Sequence, residues 1–172
     1  MERIIKDPEK MVNMLTSVEQ GNGWARGAVT ATGSYDWLKN MPFEQRTTLP
    51  DGTRLLGVHA SLVSDELVVM KDTTEKTATE IFPDIQADLV FAGHAHEESD
   101  VTLGSVRYIT LGDVANPLTF DMRAKYAILE ADASGYQVIL RHVAFDYQQV
   151  VEAIKAAQPP SEPWLLKFYQ RS

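Results

Sequence analysis

The stretch that most constrains this chain is Asp88-Leu89-Val90-Phe91-Ala92-Gly93-His94-Ala95-His96. A short apolar run stops at a glycine and delivers two histidines. That pattern is a buried strand, Leu89 to Ala92, with imidazoles at its exit. Residues at i and i+2 of an extended backbone share a face. If the chain stays extended past Gly93, His94 and His96 converge on one cation or one anionic group. A second run, Leu55-Leu56-Gly57-Val58-His59, repeats the design. Three of the four histidines thus sit at or just past strand ends, where open α/β sheets place their ligands.

The spacing around these strands gives their setting. Asp7-Pro8 reads as a helix N-cap with proline at the first turn, and Met11, Met14, Leu15 and Val18 make one apolar stripe. Gly21-Asn22-Gly23 is expected to end that helix, with two short helices following, whose Trp24, Tyr35 and Trp37 pack in a core. Pro50-Asp51-Gly52 joins Phe43–Leu49 to Thr53–His59 as a hairpin. Asp72 and Glu75 have capping-box spacing before a helix carrying Ala78, Ile81 and Phe82. The result is a β-α-β unit between His59 and His94.

After His96 the period turns antiparallel. Val101 to Thr110 is a tight hairpin, and Leu111 to Pro117 a polar turn. Lys125–Glu130 and Tyr136–Val143 pair through Asp132-Ala133-Ser134-Gly135. Asp146 caps a helix carrying Val150, Val151, Ile154 and Ala157. Residues 158–172, with Trp164, Leu165 and Phe168, form a packing tail. The expectation is a single domain over 1–172, a mixed α/β sandwich with an antiparallel meander after the His-x-His strand.

Composition narrows the chemistry. The 172 residues carry no cysteine, so thiolate ligands, thiol nucleophiles and disulfides are excluded, and a metal must take His, Asp, Glu, Asn or water. A net charge of −8 without a basic run argues against nucleic acid. No run reaches the ~18 apolar residues of a membrane helix, and the N-terminus has no signal-peptide pattern, so the expected location is cytoplasmic. There is no Gly-x-Ser-x-Gly elbow and no glycine-rich phosphate loop. Metal or phosphate contact is the expected use of His94 and His96, with His59 beside them. Asn116 is a candidate to hydrogen-bond a substrate or to form an Asx-turn, and Asp113 is similar. Arg123 is expected to be solvated or salt-bridged, with phosphate contact as the alternative, and His142 to have a structural role.

Leu55–Ala60 (LLGVHA), Phe91–His96 (FAGHAH) and Ile109–Ala127 (ITLGDVANPLTFDMRAKYA) resemble the second half of the calcineurin-like metallophosphoesterases. The nearest branch is the small bacterial one of diadenosine-tetraphosphatase and YfcE-type phosphodiesterases. The resemblance covers roughly residues 24 to 157. It implies the C-terminal part of an α/β/β/α sandwich and hydrolysis of phosphomonoesters or phosphodiesters in a phosphorylated small molecule. It implies divalent metals (Mn, Fe, Zn or Ni), with His59 and His94 on one ion and His96 on the other, and a bound hydroxide as nucleophile; the histidine that protonates the leaving group belongs to a first-half motif not found here, so no catalytic residue is expected in this chain.

The departures are specific. The family's first half supplies Asp-x-His, Gly-Asp and Gly-Asn-His-Asp, and none of these precedes His59 here. Ala60 stands where a glycine is expected, and Gly112-Asp113-Val114 where Gly-Ser-Val is expected. Two dications ~3.5–4 Å apart need bridging negative charge. The expectation is therefore a chain lacking the N-terminal motifs, inactive alone, that binds metal weakly. Its partners would be the missing half or a second copy through an exposed sheet edge. The alternatives are a non-catalytic binding or scaffold module, and a mononuclear three-histidine hydrolase.

Overall fold

The computed structural model describes residues 8–170 and divides into two compact units. One holds residues 42–145 and contains all the strands among the described residues. The other is helical and joins residues up to 41 with those from 146 onward.

In the strand unit, β1 (Glu44–Thr48), β2 (Arg54–Val58), β3 (Leu89–Ala92), β4 (Glu98–Leu103) and β5 (Val106–Leu111) form one sheet in the order β1-β2-β3-β5-β4. The hairpin at Pro50-Asp51-Gly52 pairs β1 with β2 antiparallel. β2, β3 and β5 are parallel to one another, and β4 returns antiparallel on the outer side of β5. The edge beside β2 is thus occupied by β1, a polar strand, and the outer edges of this sheet are β1 and β4.

A crossover carrying α3 (Glu75–Ile81) links β2 to β3. The helix starts at Thr74, whose hydroxyl accepts from the Thr77 N–H, and not at Asp72. The reason is local. Met70 to Thr73 closes a turn through the Thr73 N–H on the Met70 carbonyl and the Met70 N–H on the Thr73 hydroxyl. The chain is free to coil only after it.

β3 is buried on both faces, as its unbroken apolar run requires. Leu56, Val90 and Tyr108 lie side by side across β2, β3 and β5 and join Val69, Ala78, Ile81 and Phe82 in the core. Leu89 and Ile109 are buried on the opposite face. Each such side chain contributes roughly 1.5–3 kcal/mol.

The antiparallel strands after His96 are two hairpins in different sheets. The β4–β5 hairpin joins the large sheet, while β6 (Ala124–Asp132) and β7 (Gly135–Val143) pair with each other in a separate two-stranded sheet. Side-chain contacts tie that ribbon to β4, β5 and the segment after them, among them Lys125 to Asp113, His142 to Glu98, and the Tyr136 ring under the Arg107 guanidinium at 5.9 Å.

In the helical unit, α1 (Pro8–Ala31) runs straight through Gly21-Asn22-Gly23. Its expected N-cap, Asp7, lies outside the described residues. Glycine inside a helix costs up to ~1 kcal/mol but does not end it; a left-handed residue does. That residue is Gly33, at φ +73°, where the Gly33 and Ser34 N–H groups take the Thr30 and Val29 carbonyls. Gly21 has a different use. The Cβ and Oγ of Ser161 lie 3.2 Å from where its own Cβ would be.

α2 (Tyr35–Lys39) is short, and Asp146 caps α4 (Tyr147–Ala157) through the Gln148 N–H, as the spacing indicates. α5 (Glu162–Leu165) and the 3-10 turn Leu166–Phe168 pack Trp164 against Phe168 at 4.8 Å. The apolar stripe of α1 does not close a core. Met14 and Val18 line a groove of about 950 Å3 with Ile154 and Trp164. Trp24 and Trp37, expected inside, are 44% and 69% exposed, because helices with so few layers enclose little. Among the described residues, no helix is long and apolar enough to cross a membrane.

Asp88 fastens the N-terminal ends of the three parallel strands. Its carboxylate takes the Arg54 N–H and both guanidinium arms at 2.7–2.9 Å, its N–H binds the Arg54 carbonyl, and its carbonyl binds the Arg107 N–H. The Arg54 guanidinium and N–H hold the Asp88 carboxyl down at about 2. The folded form therefore binds this proton less readily than the unfolded chain. The pair's stabilisation is complete above the ordinary carboxylate range and is lost as pH falls toward 2. Asp88→Asn is expected to lower stability in urea by about 1 kcal/mol at neutral pH, the value of a good exposed pair. It should also remove that part of the acid dependence between about pH 4 and pH 2.

Candidate metal centre

β2 and β3 end side by side, and their pairing runs one step further. The Gly93 N–H donates to the His59 carbonyl at 2.8 Å. The two histidines that follow those strands are thereby brought together. His59 Nε2 lies 3.1 Å from His94 Nδ1, with ring centroids 5.1 Å apart and planes at 76°. A Cβ at Gly93 would lie 3.6 Å from that same carbonyl, an ordinary contact, so the approach does not depend on the glycine.

The route to this contact differs from the extended His-x-His of the sequence reading. His94 and His96 are both left-handed, at φ +53° and +55°, so the chain turns immediately after β3. Non-glycine residues in this region are uncommon and carry strain, and they cluster at functional sites. The turn separates the two rings. His94 goes to His59, and His96 directs Nδ1 to the Asn116 carbonyl at 2.9 Å. Among the described residues, no group of three or more His, Cys, Asp or Glu side chains is placed to hold a metal.

Asn116 meets His96 through its backbone carbonyl. A carbonyl only accepts, so His96 Nδ1 carries the proton and Nε2 keeps the lone pair. A ring whose other nitrogen donates to a carbonyl is the usual setting of a histidine ligand.

The 112–117 segment that carries this carbonyl is anchored by a pair the sequence reading missed. Lys125 Nζ lies 3.0 Å from Asp113 Oδ1, both side chains almost fully buried at 5% and 3% exposure. The Lys125 N–H also donates to the Asp113 carbonyl. The signal was present. Strand alternation puts Lys125 on the same face as Ala127 and Leu129, and an inward lysine needs a carboxylate. Farther out, Arg123 grips Asp121 with both arms at 2.8 Å and holds its carboxyl well below the usual range. His142, read as structural, binds Glu98 at 2.6 Å, with Asp121 3.6 Å from its other nitrogen.

A hypothetical protein from Pyrococcus horikoshii OT3 superposes on this chain with a TM-score of 0.64 at 18% identity, over 78% of this chain and 52% of that one. A metallophosphoesterase from Sphaerobacter thermophilus superposes with a TM-score of 0.60 at 19% identity, over 80% and 60%. The fold is that of the calcineurin-like metallophosphoesterases. The chain spans between half and two thirds of the length of these two structures. No family model and no curated protein matches the sequence.

In the metallophosphoesterase fold, imidazoles at these strand ends invite a test against a divalent cation. Metal–nitrogen bonds of about 2.0–2.1 Å at angles between about 90° and 110° put two ligand nitrogens about 2.9–3.4 Å apart. The 3.1 Å between His59 and His94 falls inside that span. That separation is compatible with two ligand positions on one cation, while His96, turned to the Asn116 carbonyl, is not grouped with them. The carboxylates that would hold two cations together are not at the site among the described residues.

Gly112 joins β5 to this segment at φ +80°, and a Cβ there would lie 2.7 Å from Lys125 Cδ. Gly112→Ala combines an unfavourable φ with overpacking beside a buried pair. It is expected to cost about 1–3 kcal/mol in chemical denaturation, whereas Gly52→Ala, with open space around it, should cost less.

Proposed function

We propose that this chain carries the histidine side of a metal-dependent phosphoesterase site. The observation that carries the reading is the pair of imidazole nitrogens, His59 Nε2 and His94 Nδ1, 3.1 Å apart at the exits of adjacent parallel strands. The fold shared with a metallophosphoesterase supports it. The substrate class is a phosphomonoester or phosphodiester of a small molecule, and the cofactor is a divalent ion of the Mn, Fe, Zn or Ni group.

A bound divalent cation supplies Lewis acidity toward a phosphoryl oxygen and an activated water. His59 and His94 hold it through the two facing nitrogens. In the neutral, metal-free chain one proton lies between those nitrogens, so a cation on both would need that proton moved to its ring's other nitrogen. His96 offers Nε2 while the Asn116 carbonyl keeps the other nitrogen protonated. With no bridging carboxylate at the site, one weakly held ion is the stable state, and a second is repelled. Hydrolysis by the family's two-metal route then requires carboxylates from outside these residues, and the chain by itself is inactive.

Calorimetric titration with Zn2+ and Mn2+, together with p-nitrophenyl phosphate and bis-p-nitrophenyl phosphate assays, tests this. The expected result is one equivalent of metal, bound at least about tenfold more weakly in His59→Ala and in His94→Ala, with no turnover above the metal-only blank. Binding indifferent to both substitutions would remove the reading. Turnover by the chain alone that vanishes in His94→Ala would replace it with the single-metal hydrolase.

A further inference from the structure

We propose that the buried Lys125–Asp113 pair is a positioning element for His96, acting through the backbone of the 113–117 turn. The inference rests on the phosphoesterase reading for its purpose, though not for its geometry.

A buried ion pair is a poor source of stability. Withdrawing both charges from water costs about as much as their attraction returns, and apolar replacements are often neutral or better. Lys125 and Asp113 are nonetheless enclosed almost completely, on the inward face of β6 and just past the end of β5. What the pair does supply is a fixed distance. Two bonds join the same residues, Nζ to Oδ1 at 3.0 Å and the Lys125 N–H to the Asp113 carbonyl at 2.9 Å. Gly112 clears the space that the lysine stem fills.

The far end of the turn is fixed as well. Pro117 is fully buried, and its ring restricts Asn116 to extended backbone. Between these anchors stands the Asn116 carbonyl, which accepts from His96 Nδ1. Sliding the turn by about an ångström would break that bond, because hydrogen bonds weaken steeply outside their geometric range. His96 would then take either tautomer, and the lone pair on Nε2 would be present only part of the time. Lys125 and Asp113 touch neither His96 nor a bound ion. They act on His96 by holding the carbonyl that selects its proton position.

The test uses the whole chain and two independent readouts. The first is the nitrogen-15 spectrum of the His96 ring, without metal, at one pH above the imidazole range. The second is Zn2+ affinity by calorimetry. In the wild type, His96 is expected in the Nδ1–H form. In Asp113→Leu/Lys125→Met, which leaves no charge stranded, the chain should stay folded while His96 becomes a mixture of tautomers and Zn2+ binds about tenfold more weakly, the low end of a lost outer-shell contact. In Asp113→Asn/Lys125→Gln, a neutral pair that can still hydrogen-bond, the wild-type tautomer should persist. That second variant also decides the matter if the apolar one fails to fold. A wild-type His96 in the Nε2–H form, an apolar variant with an unchanged ring spectrum, or a neutral pair that loses the Nδ1–H form would each overturn the proposal. Absence of Zn2+ binding in the wild type would count against the phosphoesterase reading alone, since the ring spectrum is read without metal.

Discussion

The candidate site depends on one backbone hydrogen bond. The Gly93 N–H reaches the His59 carbonyl at 2.8 Å and carries the pairing of β2 and β3 one residue beyond their ends. Without that step the two strands would still be parallel, but their exits would be free to diverge. With it, two imidazoles leave the sheet at one point and meet at 3.1 Å. Everything upstream serves the step. Asp88 ties the opposite ends of β2, β3 and β5 together. The row Leu56, Val90 and Tyr108 keeps the strands in register, since a slip of one residue would turn an apolar side chain out of the core.

Much of the strand unit was legible in the residue pattern, for physical reasons that can be named. β3 declared itself because a strand buried on both faces must be apolar without alternation. The hairpin at Asp51-Gly52 did so because glycine alone meets its φ of +91° cheaply. Asp146 was readable as a cap because the bonds it makes are local. What the pattern hid was non-local or depended on which of several glycines would turn left-handed. Gly21 and Gly23 read like a helix end, yet the chain stops at Gly33. The His94–His96 spacing looked like a strand face, and two left-handed residues made it a turn. His59 and His94 still came together, because the sheet and not the dipeptide spacing decides that contact.

The charge pattern around the site has its own logic. Asp113, Asp121 and Glu98 stand in the segments after β3 and β5 or on β4, but each is already committed: Asp113 to Lys125, Asp121 to Arg123, and Glu98 to His142. Carboxylates occupied by cationic side chains are poor candidates to bridge metal ions, since a metal would have to displace the lysine or arginine first. Among the described residues, the imidazoles His59 and His94 have only each other. Three carboxylates of these segments are thus engaged by basic side chains, and on the proposed reading that arrangement favours a single cation over a pair.

X-ray absorption of the zinc-loaded chain probes that balance most directly. A shell of two or three imidazole nitrogens completed by water-like oxygen, with no metal–metal scattering at ~3.5–4 Å, is the outcome that follows from this geometry. A clear metal–metal vector at that distance, or a first shell without imidazole, would contradict it.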